Sequence, residues 1–228
     1  MGLIQYILSN PPQYDMFIIL VATITFSLCF HEFSHGYIAY RLGDNTAAYA
    51  GRLTLNPIAH LDPMGSLMML LIGFGYAKPV PVNPMNLKNP RQDMIKIAFA
   101  GPASNLFLCF SGCMAIRLLY ENLVVVIYKQ GVPYLDLNLA GNALLIFSII
   151  NMMLAIFNLI PIHPLDGGQI FGSILSKRNA DLAWKLQTYG PQVLLGIIIF
   201  SMFSGFSIIA WIMKPFMYLV FLLSGLPT

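Results

Sequence analysis

Charge is what this sequence most lacks. Only 9% of its 228 residues are charged, 57% are hydrophobic, and the mean hydropathy is +0.73. A soluble domain carries about a quarter charged residues, so this chain cannot cover a water-facing surface. The composition predicts an integral membrane protein. The net charge of +3 comes from few, scattered basic residues, which argues against a nucleic-acid partner. Cysteine is also scarce. Cys29, Cys109 and Cys113 all lie in apolar segments and read as small buried hydrophobes rather than a disulfide framework. The first 15 residues contain no Lys or Arg and include Pro11-Pro12, so they lack the basic start of a cleavable signal. No repeat, low-complexity tract or appended soluble domain is legible, and residues 1–228 read as one membrane-embedded unit.

Acidic residues are rare enough for their positions to matter. The sequence has two glutamates, Glu32 and Glu121, and four histidines. One glutamate and two histidines fall together in His31-Glu32-Phe33-Ser34-His35, an H-E-x-x-H pattern. They are the only acidic or basic side chains between Met16 and Tyr40. On a helix, positions i and i+4 share a face, so His31 and His35 can offer two imidazoles to one zinc ion. Glu32 sits about a third of a turn away, where it can reach a water at the metal rather than the metal itself. Chance would produce the pattern in on the order of one such chain in a thousand. Ionisable residues in a hydrocarbon-length helix are costly and seldom lack a function.

Spanning helices need about 20 apolar residues. Residues 15–42, 93–119 and 140–160 qualify, and the apolar segments 191–213 and 215–226 follow. Residues 64–76 are too short to span securely and read as re-entrant or interfacial. Gly51-Arg52-Leu53-Thr54-Leu55-Asn56-Pro57 reads as a short strand entering a turn, and residues 123–128 as interfacial. The expected fold is an all-α polytopic membrane protein of about five to six transmembrane segments. Its catalytic core covers about 15–175, and the helices of about 190–226 could serve as a lateral gate.

Lys78-Pro79-Val80-Pro81-Val82-Asn83-Pro84 cannot be a helix. As a strand, Pro79 and Pro81 remove the donors of one edge while Val80 and Val82 keep theirs on the other. Such a segment could pair one edge with an extended peptide. A polyproline-like connector fits equally well.

The loop from Arg41 to Lys96 and the segment with Lys177, Arg178 and Lys185 carry the basic residues. The positive-inside rule places both in the cytoplasm and the N-terminus outside. His35 then lies roughly 10 Å from the cytoplasmic end of its helix. A catalytic zinc normally takes three protein ligands. His60, Asp62, His163 and Asp166 are the candidates for the third. Asp166 is favoured because Pro161, Pro164 and Gly167-Gly168 place it on a broken helix end at the same membrane face.

These stretches resemble the site-2 protease family of intramembrane zinc metalloproteases. The resemblance rests on His31-Glu32-Phe33-Ser34-His35-Gly36, Gly101-Pro102-Ala103-Ser104-Asn105 and residues 158–168, in the family's order. It implies one zinc ion held by His31, His35 and Asp166, with Glu32 as general base. It also implies a small membrane-associated β-sheet after the first helix, and supporting or substrate-contacting roles for Asn105 and Asn158. Pro79, Val80, Pro81 and Val82 would be the substrate-binding strand. The implied substrate is a single-pass membrane protein, such as a tethered transcription regulator or anti-sigma factor, in a prokaryotic plasma membrane. The chain is similar to minimal members without PDZ or CBS domains. The rival readings are a non-catalytic membrane metal-binding or transport protein and a membrane zincin with another third ligand. Glu32 beside both histidines argues against the first, and the scarcity of later glutamates against the second.

Overall fold

The computed structural model describes residues 2–73, 75–129 and 132–226. Among the described residues, three helices are long and apolar enough to cross a membrane: α1 (Tyr14–Arg41), α3 (Pro90–Leu118) and α4 (Leu139–Leu159). Between α1 and α3 stands α2 (Pro63–Ile72). At 1.5 Å per residue its ten residues reach only about 15 Å, too short to span. After α4 come α5 (Asp166–Leu175), α6 (Ala180–Ser204) and α7 (Ile208–Ser224). Against the expected five to six spans, three helices among the described residues meet the length and composition of a span, and α7 is a shorter apolar helix.

The C-terminal helices divide at residues 205–207, not at Lys214 as the prolines suggest. Pro191 and Pro215 lie inside α6 and α7. Proline is tolerated in membrane helices where neighbouring groups satisfy the freed carbonyl.

α1, α3 and α4 pack on one another. Cys109, Cys113, Met152 and Val220 form a buried cluster with Leu106, Leu145, Ile149 and Phe216, so α3, α4 and α7 share a core. All three cysteines are buried and free, as small hydrophobes would be. A second cluster of Ala39, Leu87 and Ile97, flanked by Ile38, Val82 and Met94, fastens the loop before α3 onto α1.

The small sheet is not where it was expected. Among the described residues, the connection after α1 contains only an isolated bridge, Leu61 to Ala77. The two-stranded antiparallel sheet is instead a hairpin after α3, β1 (Val124–Lys129) with β2 (Val132–Leu137), in the segment expected to be interfacial. The physical reason is donor supply. Pro79, Pro81 and Pro84 leave residues 77–86 too few amides for a ladder, whereas β-branched Val124, Val125 and Val126 suit one. Residues 51–56 are likewise loop, not strand, and Pro57 opens a short 3-10 turn, Pro57–Ala59.

Candidate metal centre

α1 places His31 and His35 one turn apart, both buried, with their ring centres 4.6 Å apart. α5 begins at Asp166, and its carboxylate closes the group. His31 Nε2 lies 3.2 Å from Asp166 Oδ2, and His35 Nε2 lies 3.4 Å from Oδ1. Candidate ligand atoms of all three residues fall within 4.8 Å of one another. Gly167 and Gly168 allow this approach, because a Cβ on Gly168 would meet His163 N at 2.5 Å and Ile162 C at 2.6 Å.

The remaining ring nitrogens set the chemistry. His31 Nδ1 donates to Asn105 Oδ1 at 2.6 Å, and His35 Nδ1 donates to the Ile97 carbonyl at 2.7 Å. With hydrogens on both Nδ1 atoms, both Nε2 atoms carry lone pairs, and they face each other at 3.0 Å. Two facing lone pairs beside a carboxylate repel unless a cation lies among them. Asp166 Oδ2 also lacks a conventional hydrogen-bond partner. Opposite them is Gly101, where a Cβ would collide with the Nε2 atoms of both histidines. Two neutral imidazoles, one carboxylate and a glycine-shaped space fit zinc, which takes such N and O donors.

Asn105 is itself fixed. Its Nδ2 donates to Asn151 Oδ1 at 2.9 Å, and Asn151 Nδ2 donates to Ser27 Oγ at 2.9 Å. Ser27, Asn105 and Asn151 are fully buried, so one polar chain ties α1, α3 and α4 together behind His31. The sequence reading missed Asn151 and Ser27. The available signal was an Asn within the apolar run Ile149-Ile150-Asn151-Met152. Asn158, expected to support the site or contact the substrate, donates from Nδ2 to Leu154 O on its own helix.

The other candidate ligands have other tasks. His60 Nε2 donates to Thr54 O at 2.8 Å, and Asp62 caps α2 through the Gly65 amide at 2.9 Å. His163 lines a separate cavity of about 290 Å³ with Gln169, Ser173, Trp184 and Gln187. Burial pushes the His163 imidazole below its ordinary pKa.

Glu32 is half-buried beside the histidines, and its Oε2 accepts the Val80 amide at 2.9 Å. This corrects the expected substrate edge: the Val80 donor is already spent within the chain. Val82 is left as the amide that such an edge would offer.

A model of peptidase family M50 matches residues 122–201, which include Asp166. YwhC of Bacillus subtilis (strain 168) is 38% identical over 182 residues, 79% of this chain and 80% of that protein. The chain belongs to peptidase family M50. Rip2 of Mycobacterium tuberculosis is 34% identical over 67% of this chain and 55% of its own length. Both relatives carry the words zinc metalloprotease in their names. A solved site-2 protease from Methanocaldococcus jannaschii aligns over 97% of this chain and 81% of its own, with 20% identity and a TM-score of 0.46. The protein is a membrane zinc metalloprotease of that peptidase family.

Proposed function

We propose that this protease hydrolyses a peptide bond in or near the membrane-spanning segment of a single-pass protein, at the cytoplasmic side of the bilayer. One zinc ion per chain is held by His31, His35 and Asp166, and Glu32 is the general base. The observation that carries this reading is the convergence of two Nε2 lone pairs and the Asp166 carboxylate on the space beside Gly101. When bound, zinc supplies Lewis acidity at the scissile carbonyl and lowers the pKa of water to about 7. Glu32 takes the proton of the attacking water and returns it to the leaving amide nitrogen. His31 and His35 would not compete for that proton, because Asn105 and Ile97 hold their Nδ1 hydrogens and so leave the Nε2 lone pairs for the metal.

A helical substrate hides its amides, so the segment must unwind locally before attack. The Pro81-Val82 stretch offers main-chain groups to the unwound strand. The basic loops support the cytoplasmic side, and the family resemblance supports a membrane-tethered regulator or anti-sigma factor as the substrate class. The test is Glu32→Gln in purified protein. Zinc content should stay at one ion per chain while cleavage of a membrane-embedded substrate falls by about 10² to 10⁴-fold. Retained cleavage would remove Glu32 from the role of base.

A further inference from the structure

The segment from Lys78 to Asn86 lies against the C-terminal part of α1; among the described residues its one backbone bond to another segment is from the Lys78 amide to His60 O at 2.8 Å, yet it is pinned at both ends by buried charged residues. At one end the Arg52 guanidinium, itself buried, donates from Nη2 to Lys78 O at 2.6 Å and to Pro79 O at 3.4 Å. At the other end the Asp44 carboxylate accepts the Asn83 amide and Asn86 Nδ2, each at 2.7 Å. Between these pins, the Val80 amide donates to Glu32.

Pro79 C=O and Val80 N–H belong to one planar peptide unit. Arg52, whose closer bond is to Lys78 O, reaches its oxygen at 3.4 Å, and Glu32 accepts its hydrogen at 2.9 Å. A cation at the carbonyl end polarises the unit and strengthens its amide as a donor. Pro81 restricts the preceding Val80 to extended backbone, which limits rotation of the plane. Gly36 sets the height of the crossing. It lies one turn after Glu32 on the same face of α1, and a Cβ there would meet Val80 Cγ1 at 3.1 Å.

From this geometry we infer that Arg52 is a positioning residue for the protease. Acting through the 79–80 peptide, it holds the Glu32 carboxylate in the orientation that accepts the water proton. This inference rests on the base assignment proposed above. Arg52 does not touch the zinc ligands, so its contribution is to the rate of the chemical step and not to metal binding.

The experiment uses the full-length, zinc-loaded protein in detergent, with a zinc-free preparation alongside. Arg52→Ala should lower kcat by about tenfold or more, as expected when a catalytic group is misplaced, with KM within twofold and zinc content unchanged. Arg52→Lys, which can still donate to a carbonyl, should recover part of the loss. Nitrogen-15 valine NMR reads the contact without catalysis. In the zinc-free protein the Val80 amide should be protected from exchange, and its resonance should shift in both Glu32→Ala and Arg52→Ala. If Arg52→Ala proves poorly folded, Gly36→Ala, which lifts the segment, should produce the same Val80 shift and the same kcat loss. An unprotected Val80 amide, or a kcat unaffected by Arg52→Ala while Glu32→Gln is inactive, would overturn the inference and leave the base assignment intact. An active Glu32→Gln would instead overturn that assignment.

Discussion

Two long connections join the three spanning helices, and they are held in opposite ways. The one between α1 and α3 has almost no ladder of its own. Arg52 and Asp44, both within the connection, take Lys78 O and the Asn83 amide, while Glu32 and Cys29 of α1 take the Val80 amide and Leu55 O, which ties the connection to the helix that carries the two histidines. The one between α3 and α4 is a hairpin closed by its own register, Val124 against Leu137 through Lys129 against Val132. It draws no hydrogen bond from Glu32 or from the zinc-ligand residues among the described residues. The difference shows how to recognise a functional connection here. A segment whose amides are satisfied by side chains of the site moves with the site, and one satisfied by itself does not.

The helix-borne network is the standard for both connections. Asn105→Ala removes the acceptor for His31 Nδ1 and leaves Asn151 Oδ1 without its donor. Such outer partners of metal ligands typically matter by about 10 to 100-fold in metal affinity. A competitive chelator titration of the variant should show a loss of that size.

A smaller effect is expected from Asp44→Ala, which leaves the Asn83 amide without its acceptor and Asn86 Nδ2 with only Thr46 Oγ1 at 3.2 Å. Cleavage should drop by about tenfold, the scale of a displaced positioning group, while zinc affinity holds. Exchange of the amides around residues 80–83 should quicken. A matching loss of zinc would mean that this connection supports the ligands rather than Glu32.

The same contact predicts a pH dependence. Burial pushes the Asp44 carboxyl upward, but hydrogen bonds from Thr46, Asn86 and the Asn83 amide outweigh it and hold its pKa below the usual range. Its folded pKa is therefore lower than its unfolded one, about 3.9. The anchor's full contribution is present above that value and is lost as pH falls through the folded pKa. Exchange at residues 80–83 should be flat near neutrality and rise, relative to the hairpin, only below about pH 4. The smallest effect belongs to the hairpin itself. Val126 is 55% exposed, and Val126→Thr keeps its branched shape. Cleavage should change less than about twofold, as surface substitutions usually do. A larger change would end the distinction between the two connections.

The local features were legible and the long-range ones were not. Uninterrupted apolar runs marked α1, α3 and α4 to within a few residues, because hydrocarbon length is a strong constraint. His31, Glu32 and His35 announced themselves by helical spacing, and Asp166 by the broken helix around it. The prolines marked residues 78–83 as non-helical, as they are, but could not say who takes the carbonyls and amides. That depends on Arg52, 28 residues before Val80, and Glu32, 48 residues before it. The hairpin was missed because Val124 to Ile127 is apolar in the manner of either an interface or a strand. Asn158 and Asn151 stand two turns apart on one helix, and only packing decides which of them reaches Asn105.

The central claim is that α5 completes the metal centre begun on α1. Zinc stoichiometry of purified wild type, Glu32→Gln and Asp166→Ala, measured after dialysis against a weak chelator, tests it most directly. The expected result is one ion per chain in the first two and substantial loss in Asp166→Ala. Full zinc retention by Asp166→Ala would contradict it.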